Sequence, residues 1–225
     1  MKRAVLAEFL GALLLAAAVI GSGVMAERLA QGNTAVALLA NTMATVALLA
    51  VIIAMLGPIS GAHFNPVVTL VGRWRDPTAG RPVGAYLLAQ VAGCCVGAML
   101  ANVMFELPVW NEPTRVRTGM AVWLAEFVAT AGLVLVAFTS PSIREASWRV
   151  PAWIAAAYWF TSSTSFANPA ITVGRALSDS FAGIRPLDVP GFVIAQLAGG
   201  AAGALLVQAL EGRRLPLPAR AGVDP

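Results

Sequence analysis

The sequence predicts an all-α membrane protein, with six membrane-spanning helices and two re-entrant half-helices in an inverted repeat. Three observations carry this. Only 12% of the 225 residues are charged and 58% are hydrophobic, against about 25% charged in an ordinary soluble domain. The remaining charges leave long apolar runs. The chain also repeats itself, with the order and approximate spacing of its motifs kept.

The apolar runs are 4–26, 34–56, 83–105, 119–139, 148–161 and 189–210. Most approach the ~20 residues that a helix needs to cross roughly 30 Å of hydrocarbon. The fifth is short and rich in tryptophan. Lys2 and Arg3 before the first run give it the look of a secretory leader. It is too long for one and contains Glu8, so it reads as a retained first helix. Cys94 and Cys95 are adjacent within a span, which excludes a disulfide framework. They read either as soft ligands for a metalloid or as small packing residues, and packing is preferred.

A sequence pI near 9.8 raises the question of nucleic acid. Placed on six spans, however, ten of the fifteen basic residues fall on one side: Lys2, Arg3, Arg73, Arg75, Arg81, Arg144, Arg149, Arg213, Arg214 and Arg220. Arg28, Arg115, Arg117, Arg175 and Arg185 fall on the other. Basic residues concentrate on the cytoplasmic side of membrane proteins. Both termini are therefore expected there, in the cell (inner) membrane, and no nucleic-acid partner is needed to explain the charge.

Ala7-Glu8-Phe9-Leu10 returns as Ala125-Glu126-Phe127-Val128. His63-Phe64-Asn65-Pro66-Val67 returns as Phe166-Ala167-Asn168-Pro169-Ala170, and Ala89-Gln90-Val91-Ala92-Gly93 as Ala195-Gln196-Leu197-Ala198-Gly199. The repeats cover about 4–105 and 119–210 of a single 1–225 domain, joined by the proline-containing linker 106–117. Three spans per repeat force the second half to enter from the opposite face, and the site of passage then lies where the repeats meet. Gly93 and Gly97, and Gly199 and Gly203, give both third helices a close-packing face. It reads either as a dimer face or, preferably, as these two helices packing on each other.

Between spans the segments 57–70 and 162–177 are apolar but too short to cross. Such backbone is tolerated at membrane depth only when buried in protein or lining a cavity. Proline disfavours helix in the residue before it and suits the first helical position. Asn65 and Asn168 should therefore cap half-helices begun by Pro66 and Pro169. Their N-termini converge on one point, bringing Val67 and Ala170 to the midplane. The positive ends would repel cations while the two amides offer donors to a neutral hydroxyl-bearing molecule.

These motifs resemble the major intrinsic protein family, the aquaporins and aquaglyceroporins. The resemblance runs over essentially the whole length: Ala-Glu-Phe at 7–9 and 125–127, the stretch from Ser60 to Pro66, and Phe166 to Ala170. It implies an hourglass fold, a homotetramer in membrane lipid, and a passive channel for small uncharged solutes without cofactor or metal. It also implies that Glu8 and Glu126 support the re-entrant loops, a proton relay being the competing reading. His63, the only histidine, reads as a hydrogen-bonded structural residue beside the first loop.

Most of the family carries an arginine directly after the second motif. Here the position is Ile171. Counting from the motifs places Thr45, Ala156 and Ser165 at the other filter positions. A small-residue ring without the usual cation is expected to be wide. It resembles the bacterial branch associated with arsenic resistance. The expected solutes are then glycerol-like polyols, undissociated arsenous acid and water, with a water-selective channel as the alternative. Arg175, one turn beyond Ile171, either lends charge to the mouth or faces carbonyls and headgroups. The chain has no arrangement of catalytic groups for an enzyme. A coupled transporter would need a titratable group at the crossing point, and a structural membrane protein would not need a wide mouth.

Overall fold

The computed structural model describes residues 1–78, 80 and 82–212. Among the described residues eight α-helices follow in order: α1 (Lys2–Leu29), α2 (Thr34–Ser60), α3 (Pro66–Arg75), α4 (Val83–Met104), α5 (Met120–Thr139), α6 (Ile143–Phe160), α7 (Pro169–Arg175) and α8 (Val189–Glu211). A 3₁₀ turn, Pro186–Asp188, leads into α8. The second half repeats the order of the first: two long helices, a half-helix and another long helix.

By length and composition α1, α2, α4, α5 and α8 can each cross a membrane. The sixth long helix, α6, starts five residues before the apolar run that predicts it. Its extra residues, 143–147, carry Arg144 and Glu145, so hydropathy alone does not find them. What starts it is local: Ser142 Oγ accepts from the Glu145 amide at 3.2 Å. The second span also outruns its expected end, because Pro58 sits inside α2 without stopping it. Asn33 Oδ1 caps α2, accepting from the Ala35 and Val36 amides at 3.1 Å each. Arg81, Arg213, Arg214 and Arg220, assigned above to one side, lie outside the described residues.

The core is apolar, as in a water-soluble bundle, but so is the exterior, and large polar side chains are buried. Leu88, Met43, Val51, Leu124, Ile194 and Leu205 are exposed, while Glu8, Gln90, Glu126 and Gln196 are wholly buried. An apolar exterior suits a hydrocarbon solvent, and ionisable groups inside it mark function.

The glycine faces pack differently from expectation. A Cβ on Gly93 or Gly97 would meet the Phe9 and Leu13 carbonyl oxygens at 2.4 and 2.1 Å. On Gly199 or Gly203 it would meet those of Phe127 and Ala131 at 2.3 and 2.5 Å. So α4 packs on α1 and α8 on α5, each within its own half, rather than α4 on α8. Backbone-to-backbone approach of this kind gains dispersion contacts along the whole seam. The halves are joined instead by α2 against α6, α7 against α4, and α3 against α8. Cys94 is buried in the central core with its Sγ 3.6 Å from the Ala12 carbonyl, a packing role, and Cys95 is half-buried.

Candidate functional site

The site grows from the two Asn-Pro steps. Asn65 and Asn168 are extended at φ −153° and −157° and cap α3 and α7, whose first residues are Pro66 and Pro169. Asn65 Oδ1 accepts from the Val67 amide at 2.9 Å; Asn168 Oδ1 accepts from those of Ala170 and Ile171 at 3.0 and 3.3 Å. Each side-chain amide then reaches across. Asn65 Nδ2 donates to the Ala167 carbonyl at 2.7 Å, and Asn168 Nδ2 donates to the Phe64 carbonyl at 2.8 Å. The N-terminal ends of the half-helices therefore abut through a reciprocal clasp. Each Nδ2 has a second hydrogen to offer.

The residues whose carbonyls are clasped are strained. Phe64 and Ala167 have φ of 48° and 47°, and Ala62 and Ser165, two residues earlier in each loop, have 52° and 48°. A side chain in this region costs about 1–2 kcal/mol, so something must impose it. Glu8 and Glu126 do. Glu8 Oε1 accepts from Ser60 Oγ (2.6 Å) and the His63 amide (3.0 Å), and its Oε2 from the Phe64 amide (2.7 Å). Glu126 accepts from the Phe166 and Ala167 amides, both at 2.8 Å.

Sequence reasoning missed the side chains that hold these carboxyls. Gln90 Nε2 donates to Glu8 at 2.7 Å and to Thr69 Oγ1 at 2.9 Å. Gln196 Nε2 donates to Glu126 at 2.6 Å and to Thr172 Oγ1 at 2.9 Å. The signal was present: both glutamines sit in the third repeated motif, and both threonines stand four residues after their asparagine. His63 Nδ1 lies 3.0 Å from Thr69 Oγ1 and its ring packs edge-on against Tyr86, whose hydroxyl donates to the Ser60 carbonyl. It is a bonded member of the first loop, and it also lines the cavity.

One cavity of about 250 Å³ runs along both loops. Asn65, Asn168, Thr45, Ser165 and Ile171 line it, together with His63 toward one end and Arg175 toward the other. Three expectations need correction. Ala156 is exposed and off the cavity; Val150, Ile154 and Tyr158 form the lining face of α6, four residues apart. Counting back from Asn168 lands on the wrong side because a helix turns about 100° per residue. Val67 is also off the lining, its place taken by Val68. Val67 instead packs toward Gly200, where a Cβ would lie 2.2 Å from its Cγ1. Pro66, Pro169 and Ala170 likewise are buried without lining it.

The ring is not free of a cation, since buried Arg175 lines the cavity from the last turn of α7. Its Nε donates to the Ala182 carbonyl, and its guanidinium carbon stacks 3.3 Å over the Phe166 ring centroid. Arg117, in the linker, lies 5.1 Å from the same centroid and donates to the Gly183 carbonyl at 2.8 Å. Burial, then the positive charges of Arg175 and Arg115, push the Arg117 guanidinium down to about 9. The linker is thus a structural strap over the Arg175 end as well as a connection.

Comparison with known proteins agrees with this fold. The family model described as major intrinsic protein matches residues 1–148. The chain is 51% identical over 201 residues to the aquaglyceroporin AqpS of Rhizobium meliloti (strain 1021), covering 88% of this chain and 86% of that one. This chain belongs to the major intrinsic protein family. It is also 33% identical over 121 residues to a probable glycerol uptake facilitator protein of Thermotoga maritima, covering 52% and 50% of the two chains. The X-ray structure of the aquaglyceroporin from Plasmodium falciparum superposes with a TM-score of 0.69 at 20% identity. It covers 96% of this chain and 98% of that one, a likeness of fold. As a family member the chain is a multi-pass membrane protein and a passive channel for small neutral solutes, not an enzyme.

Proposed function

We propose that the cavity between the two loops is the conduction path, and that it carries glycerol-like polyols, undissociated arsenous acid and water down their gradients. The observation that carries this is the clasp of Asn65 and Asn168, which places two amide donors on the cavity beside strained carbonyls. A neutral hydroxyl-bearing solute can exchange its hydration for such groups, whereas a cation meets abutting helix N-termini and Arg175. Thr45, Ser165 and Ile171 act in selection, with Tyr158 in the place first given to Ala156. AqpS is named an aquaglyceroporin and the Thermotoga maritima relative a probable glycerol uptake facilitator, and both names support this solute class.

A water-selective channel is the second reading, favoured by the presence of Tyr158 and Arg175 on a lining expected to be small and uncharged. Stopped-flow flux of water, glycerol and arsenous acid in proteoliposomes, with Ile171→Arg alongside wild type, separates the two. The polyol reading expects wild type to pass glycerol or arsenous acid, and the substitution to block them while water still crosses. Wild type passing only water would sink it. We further propose a single channel domain built of two repeats, a homotetramer, and both termini on the cytoplasmic side. The last rests on the clustering of Lys2, Arg3, Arg73, Arg75, Arg144 and Arg149 at the His63 end of the bundle.

A further inference from the structure

Seven buried side-chain nitrogen or oxygen atoms among the described residues have no hydrogen-bond partner in the protein. Buried polar groups are normally bonded, so each such atom calls for an explanation. Three of the seven belong to residues that line the same cavity: Thr45 Oγ1, Ser165 Oγ and Arg175 Nη1. All three residues are 2% exposed. They also fall toward one end. Thr45 lies on α2 two turns beyond Ala37, which clusters with Ala26 and Ala30 under Phe181 of the loop after α7. Ser165 precedes Asn168, and Arg175 ends α7.

We propose that Arg175 is a specificity-determining residue of this channel, and that with Thr45 and Ser165 it forms a three-point site for a neutral solute bearing several hydroxyls. The Phe166 ring and the Ala182 carbonyl fix the guanidinium through its face and its Nε, leaving Nη1 as a directed donor. Nη1 can only donate, so it requires a solute oxygen. The two hydroxyls donate or accept and so adapt to the solute's remaining groups. A triol satisfies all three at once, while a molecule with one polar group strands at least two. Arg175 thus supplies, from one turn further along α7, a cation that Ile171 does not. The inference rests on the polyol reading above.

The test compares the glycerol-to-water permeability ratio in proteoliposomes for wild type, Arg175→Lys, Thr45→Val/Ser165→Ala and Thr130→Val. Thr130 Oγ1 is equally buried and unpartnered but lies off the cavity, so it controls for loss of a buried hydroxyl. The site predicts that the ratio falls about tenfold or more in the first two variants, as when a site built to bond hydroxyls loses its partners, and holds in Thr130→Val. The double variant removes hydroxyls with no partner in the protein, so its thermal midpoint should hold. It decides the matter if Arg175→Lys fails to fold. A folded double variant with the wild-type ratio overturns the site and leaves the polyol channel standing. Wild type that excludes glycerol overturns both.

Discussion

Val67 fills the space that a side chain on Gly200 would need: a Cβ there would lie 2.2 Å from Val67 Cγ1. The first half-helix thereby seats against the last helix of the other half. Gly200→Ala is expected to cost about 1–3 kcal/mol through overpacking. Val67→Ala in the same chain should recover part of that loss. A double-mutant cycle on thermal midpoints in detergent should give a coupling of about 0.5–3 kcal/mol. Simple additivity would mean that the two residues do not share the space.

Glu8→Gln should unseat the first loop. Both carboxyl oxygens of Glu8 accept, from Ser60, from the His63 and Phe64 amides and from Gln90. A glutamine has only one oxygen and turns an NH₂ toward the remaining donors. At least ~2 kcal/mol of destabilisation is expected, read as a lower thermal midpoint and reduced water flux per reconstituted protein. Glu126→Gln should act in the same way through Phe166 and Ala167. Wild-type behaviour of both variants would remove the carboxyls from the supporting role.

Asn168→Asp should let cations through. It exchanges a donor for a negative charge where the half-helix ends abut. For a passing monovalent cation at about 4 Å this is worth about 4 kcal/mol at an effective dielectric of about 20. Potassium-driven dye assays in liposomes should show a leak in the variant and none in wild type. Equal, negligible currents in both would shift the burden of exclusion to Arg175.

Ala156→Leu should leave the glycerol and water permeabilities unchanged, because the residue is exposed and off the cavity. Tyr158→Ala, on the lining face of the same helix, should raise glycerol flux relative to water. Flux measurements on the pair decide which residue the α6 position of the selective region belongs to.

The spans were legible because a hydrocarbon solvent enforces a composition that no packing detail can mask. The half-helices were legible because Asn-Pro fixes a cap and a first turn in four residues. The start of α6 was not, since its first turns carry Arg144, Glu145 and Arg149 and are set by the Ser142 cap. Nor was the partner of each glycine face: a sequence shows that Gly93 and Gly97 admit a close neighbour, not that the neighbour is Phe9 to Leu13 of α1. Gln90 and Gln196 were visible as repeated letters, but their bonds to Glu8 and Glu126 link residues 82 and 70 positions apart. The charge at the mouth was hidden for a related reason. Ile171 is read from the motif, while the place of Arg175 depends on how Phe166 and Ala182 hold it.

The clasp of the two loops also has a meaning for biogenesis. It joins Asn65 to a carbonyl 102 residues later, and Asn168 to one 104 residues earlier. During synthesis the first loop is complete long before its counterpart leaves the ribosome. Until then the Phe64 carbonyl and the Asn65 amide lack their final partners at membrane depth. The N-terminal half alone therefore cannot complete the clasp, which closes only when the second half arrives.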